Sequence, residues 1–128
     1  MDMHAALLAR IRADAGVAAI VGGRVEWGGR PAIPAITLRT VSGVIAQTMK
    51  GVQSMQSVRV QVDCWAKTHD QANALANAVL AACLPRTTVQ GIYFRSASAT
   101  HPRDLGEQTS AGYIHRKQTD LTVRYSAA

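Results

Sequence analysis

Catalysis or metal binding in this chain would rest on four histidines, eight acidic residues and two cysteines. His4, His69, His101 and His115 stand in four different segments, with no two at a helical or strand spacing that lets imidazoles share a metal ion. Cys64 and Cys83 are too few and too far apart for a disulfide framework or a CxxC zinc site, and both are expected to be buried as small hydrophobes. Asp104 and Glu107 share a polar segment, but a hydrolase or metal enzyme would need a pocket joining His101 or His115 to Asp104, and no motif indicates one. Asp63 and Asp120 fall among Arg59, Arg116 and Arg124 on strand-like segments, where cross-strand ion pairs account for them. Gly23 and Gly28 have the glycine spacing of a phosphate-binding loop, yet Gly29 and Arg30 follow where Lys and Ser or Thr are needed. GxSxG, HExxH and GxGxxG are absent. No catalytic, cofactor-binding or metal-binding residue is assigned, no cofactor is expected, and the chain reads as non-enzymatic.

Charge offers a second kind of chemistry. Fourteen Lys and Arg against eight Asp and Glu give a formal net charge of +6, which raises nucleic acid as a partner. Residues 5–22 superficially resemble a helix-turn-helix with Gly16 at the turn. The would-be recognition helix, residues 17–21, carries no Arg, Lys, Asn or Gln to read a base edge. Elsewhere the positive charges are dispersed. Arg39, Arg59, Arg95, Arg116 and Arg124 all fall on strand-like segments, where some could line one sheet face turned to another subunit or to DNA.

The elements that would position these side chains follow from periodicity. The 128 residues suit a single domain, residues 1–128, and 48% hydrophobic content is enough for a core of Ala, Val, Leu and Ile. No apolar run approaches the length of a membrane span and no signal-peptide pattern opens the chain, so it reads as soluble and intracellular, with no membrane partner. Asp2 caps a helix whose Met3, Leu7, Leu8, Ile11 and Ala15 share one face, with Arg10 and Asp14 near its edges. Residues 17–21 form a further helical turn closed by Gly22 and Gly23, and residues 25–27 a short strand. Residues 35–42 and 57–66 alternate as strands, the second with Val58, Val60, Val62 and Cys64 on its core face. Thr68 and Gln71 form a capping box before a helix that buries Ala72, Leu75, Ala76, Val79, Leu80 and Cys83. Residues 89–99 are expected as one strand, 100–112 as a polar loop, and 113–126 as the last long strand. Residues 43–56 have no strong period and are too long for an idle turn. They predict a functional loop or extended hairpin arm, with Gln47, Met49, Lys50, Gln53 and Met55 as candidate contact residues. The resulting fold class is α+β, an antiparallel sheet with two main helices packed on one face.

The run of segments is similar to the tail completion or tail terminator family of long-tailed bacteriophages and prophages. The likeness lies in LLARIRADAGVAAIVGGRV, RPAIPAITLRTVSG, SVRVQVDCWAKTHDQANALANAVLAAC and RDLGEQTSAGYIHRKQTDLTVRY, which span nearly the whole chain. Residues 43–56 and 101–112 are its departures. The resemblance implies a structural virion protein of the tail, assembled in the host cytoplasm as a homo-oligomer, a hexameric ring on the head-proximal end of the tail tube. There it would end tube polymerisation and offer a head-tail joining surface, with tail tube protein and head connector or neck protein as partners and non-specific contact with passing DNA. Two alternatives stand beside it: a head-tail joining (neck) protein of the same virion, and a basic DNA-binding accessory protein.

Overall fold

The computed structural model describes residues 2–43, 45, 47–48, 51–52 and 55–128. Along the chain run α1 (Met3–Ala13), α2 (Ala15–Val21), β1 (Val25–Trp27), β2 (Ala35–Gly43), β3 (Gln47–Thr48), β4 (Gly51–Val52) and β5 (Gln56–Ala66). α3 (His69–Cys83), β6 (Thr87–Val89), β7 (Ile92–Phe94), β8 (Ser98–Ala99), β9 (Arg103–Thr109) and β10 (Gly112–Ala127) complete it. Among the described residues β3 and β4 pair with each other, and the remaining strands form one eight-stranded sheet.

The frame of that sheet is the antiparallel ladder of β5 and β10, in register from His115↔Ala66 to Tyr125↔Gln56. Because side chains alternate across a strand, this register puts Val60, Val62 and Cys64 on the same face as Leu121 and Val123. All five are buried, together with Ile36 and Leu38 of β2. The helices close over this face. Met3, Leu7 and Ile11 of α1, Val17 and Val21 of α2, and Leu75, Ala76, Val79 and Cys83 of α3 share one cluster with it. Alanine at positions 72 and 76 lets α3 lie close to the sheet, and each large side chain so covered contributes about 1.5–3 kcal/mol.

Local chemistry sets the helix limits. The Asp2 carboxylate accepts from Ala5 N–H, the Asp14 carboxylate from Val17 N–H, and the Thr68 hydroxyl from Gln71 N–H. Gln71 reciprocates one residue earlier than a standard capping box, accepting from Lys67 N–H at 3.2 Å. Arg10, placed near a helix edge by its spacing, is in fact buried: it donates to the Pro85 carbonyl and lies over the Phe94 ring, 5.4 Å from its centre. Burial pulls its guanidinium below the usual value. Both cysteines are buried free thiols, and burial pushes Cys83 up to about 12.

The expected α+β class, a sheet with two main helices on one face, needs correction. Among the described residues strand far outweighs helix, giving a sheet-dominated fold with a curled eight-stranded sheet and three helices. Three local causes account for the difference. Asp14 gives residues 15–21 their own cap, so they form a full helix. The expected strand 89–99 is divided, because Gln90 and Gly91 take positive φ (49° and 77°) in a two-residue hairpin turn between β6 and β7, and β8 pairs separately. The expected polar loop 100–112 contains β9, which extends the sheet along β10 from Thr109↔Gly112 to Arg103↔Gln118. One pairing, β1 with β2, is parallel.

In urea denaturation, Leu75→Ala should lower stability by about 2–5 kcal/mol through the cavity it opens, and Thr68→Ala by about 1 kcal/mol through the lost cap. Equal effects would mean that α3 is not seated on the core as described.

Candidate interaction surfaces

The second face of the β5–β10 ladder is polar and carries its own network. Asp63 accepts from Gln118 Nε2 at 3.1 Å and from Gln61 Nε2 at 3.0 Å, and Gln118 in turn accepts from Arg103. Trp65 lies beside this network, with Nε1 donating to the Thr37 hydroxyl at 3.0 Å. The Arg116 and Arg30 guanidiniums sit over the Trp65 ring, 5.0 and 4.8 Å from its centre. Arg116 Nε is 3.7 Å from Asp63 Oδ1, close enough for ion pairing but too long for a hydrogen bond, and it has no hydrogen-bond partner among the described residues. Asp63 therefore pairs across strands as its spacing suggests. Asp120 makes no ion pair among the described residues.

The five strand arginines separate into two kinds. Arg116 is half-buried in the Asp63–Trp65 network, whereas Arg39, Arg59, Arg95 and Arg124 are exposed and form no ion pair among the described residues. Arg124 and Arg95 are neighbours, because Arg95 N–H donates to the Arg124 carbonyl at 2.9 Å. With Arg86, Tyr93 and Ser96 they line a cavity of about 280 Å³. Sequence reasoning did not single out Arg86, since only the β6–β7 pairing brings it here.

The proposed contact segment is described in part. Gln47 lies in β3, whose pairing with β4 makes a short hairpin, Met55 is half-buried beside β5, and Met49, Lys50 and Gln53 lie outside the described residues. At the base of this segment, exposed Val41 and Ile45 line a groove with His4, Val58 and Tyr125.

Folding does bring His115 and Asp104 to one pocket, along with His69, Tyr113 and Lys117, at the start of α3. Tyr113 stacks edge-on against His115, 4.7 Å between ring centres. It also overlies Gly106, where a Cβ would come within 2.7 Å of the Ile114 carbonyl oxygen. Asp104 is held by Lys117 Nζ at 2.8 Å and faces His69 Nε2 at 3.3 Å. That hydrogen bond from Lys117 holds the Asp104 carboxyl below the usual carboxylate range, with the charges of Lys117 and His69 adding to it. The carboxylate is thus occupied as an ion-pair partner, and no group of three metal-ligating side chains occurs among the described residues. His101 is elsewhere, its Nδ1 against the Pro102 carbonyl at 3.2 Å.

Comparison with known proteins follows the same segments. Residues 5–120 match the family model of "Tail completion protein gp17". A chain in the virion of a native gene transfer agent particle superposes with a TM-score of 0.65 at 22% identity, over 98% of this chain and 93% of that one. A second solved structure, of a protein known by a sequence identifier alone, gives 0.52 at 14% identity over 99% and 97%. Both share the fold. No curated protein matches.

A carboxyl held low in the folded state stabilises it above the ordinary carboxylate range, near pH 4, and the contribution disappears as pH falls through the folded value. Carboxyl-carbon NMR should therefore find Asp104 titrating below the ordinary carboxylate range in the native protein, and Lys117→Met should raise its midpoint. An unchanged midpoint in that variant would remove Lys117 as the cause.

Proposed function

This chain belongs to the tail completion protein gp17 family and is a structural protein of the phage virion tail, and on that premise we propose that it forms a homo-oligomeric ring, a hexamer, on the head-proximal end of the tail tube. There it ends tube polymerisation and presents the surface on which the head connector or neck protein docks, without catalysis. The observation that carries this reading is the family match over residues 5–120. The likeness to a chain of a gene transfer agent virion supports the fold on which it rests.

The surfaces fit a head-to-tail ring. Such a ring needs two different complementary patches on each copy, one at each flank. The sheet leaves β1 at one margin and β6 at the other, and the exposed Val41 and Ile45 share a groove with Tyr125 where β2 ends. We assign the segment of residues 43–56, with Gln47, Met49, Lys50, Gln53 and Met55, to contact with the neighbouring copy or the tube protein. A head-tail joining protein would share the ring but would sit on the connector instead of the tube.

Native mass spectrometry of the concentrated protein should show one closed stoichiometry, and purified tail tubes should capture it at one end only. A strict monomer that ignores tube ends would overturn the reading, and binding to connectors but not tubes would transfer it to the neck.

A further inference from the structure

We propose that Arg86, Arg95 and Arg124 form a docking row for the phosphate backbone of double-stranded DNA, bound without regard to sequence. The row is set by register. Thr87 pairs with Phe94 and Phe94 with Tyr125, so one step further along the same ladders Arg86 stands opposite Arg95, and Arg95 opposite Arg124. The Arg95 N–H to Arg124 carbonyl bond continues the β7–β10 pairing to that step. Adjacent strands are about 4.8 Å apart, and like charges placed directly opposite one another repel. Three arginines in consecutive positions across a sheet are therefore unfavourable in the free protein, and an anion would relieve them. None has a carboxylate partner among the described residues, all three are exposed, and all three line the same cavity.

The chemistry around the row selects a phosphate backbone over an acidic protein partner. Arg59, opposite Thr122 on β5, stands diagonal to Arg124, and Arg39, opposite Gln61, continues the positive face onto β2. Between them lie Ser57, Gln61 and Thr122; Asp120, opposite Gln61, shares this face, and Tyr93 is the ring beside the row. Protein interfaces concentrate apolar and aromatic side chains at their core and shed charge there. Protein–DNA interfaces are more polar and much more positive, as this face is. An eight-stranded sheet is too broad to enter a major groove about 12 Å wide, so its arginines meet phosphates, not base edges. The inference stands on this face alone and does not depend on ring formation.

The test is fluorescence anisotropy of the full chain with random-sequence duplex DNA across a salt series. Each phosphate contact adds about 0.9 to the slope of log affinity against log salt. Arg95→Gln should lower the slope by about 0.9 and the triple Arg86, Arg95 and Arg124 to Gln variant by about 2–3. Lys67→Gln removes the same charge from an exposed position at the far end of β5 and should leave the slope unchanged. Absence of binding by the unmodified protein, or equal losses in Arg95→Gln and Lys67→Gln, would overturn the proposal. So would an Arg95→Gln variant that binds DNA normally but no longer self-associates in sedimentation, since the row would then be a contact between copies.

Discussion

The antiparallel ladder between β5 and β10 is the constraint on which the other features depend. Its register sets Val60 and Val58 of β5 opposite Leu121 and Val123 of β10 on one face, and Arg59, Gln61 and Asp63 opposite Thr122, Asp120 and Gln118 on the other. A slip of a single residue would exchange the two, burying Arg59 and Arg124 beneath α3 and exposing Val60 and Leu121. The cost of such an exchange, an unpaired charge under a helix, is far larger than that of any one lost hydrogen bond. The apolar face therefore fixes where the helices sit, and the polar face is fixed as a consequence.

That polar face is ordered at one end and open at the other. Around Asp63, the amides of Gln61 and Gln118 and the guanidinium of Arg103 form one hydrogen-bonded chain, while the neighbouring Trp65 indole donates to Thr37 and holds Arg116 and Arg30 against its ring. Buried polar groups arranged in this way rigidify the sheet when their partners are in place. Toward the C-terminal end of β10 the partners run out, and Arg124 and Arg95 face solvent beside Arg86. Water screens their repulsion in the free protein. The same strand thus carries a finished structural network and an unfinished electrostatic one, and the second is where an external anion gains most.

Legibility in the sequence followed burial. β5 was readable because Val58, Val60, Val62 and Cys64 alternate with polar residues, and α3 because Thr68 and Gln71 announce its start before a helical stripe. β9 was not, since Arg103–Thr109 has no buried residue to impose a period of two; the free edge of β10 makes it a strand by backbone pairing alone. The break at Gln90 and Gly91 could have been found from the Gly, and would have separated β6 from β7. Of the site, Arg39, Arg59, Arg95, Arg116 and Arg124 were visible as strand arginines. That Arg116 is engaged with Trp65 while Arg86 joins Arg95 and Arg124 depends on pairings between distant segments, which no local pattern encodes.

A small sheet-dominated protein with one face covered by helices and an opposite face rich in arginine has the make-up expected of the ring subunit proposed for the end of the tail tube. Its place in the virion is the central claim, and electron cryomicroscopy of the tail–head junction tests it most directly. A closed ring of this fold, seated on the last tube layer at the head-proximal end, is the predicted density. Density for the chain along the tube shaft, at the distal tip, or on the connector with no contact to the tube would contradict it.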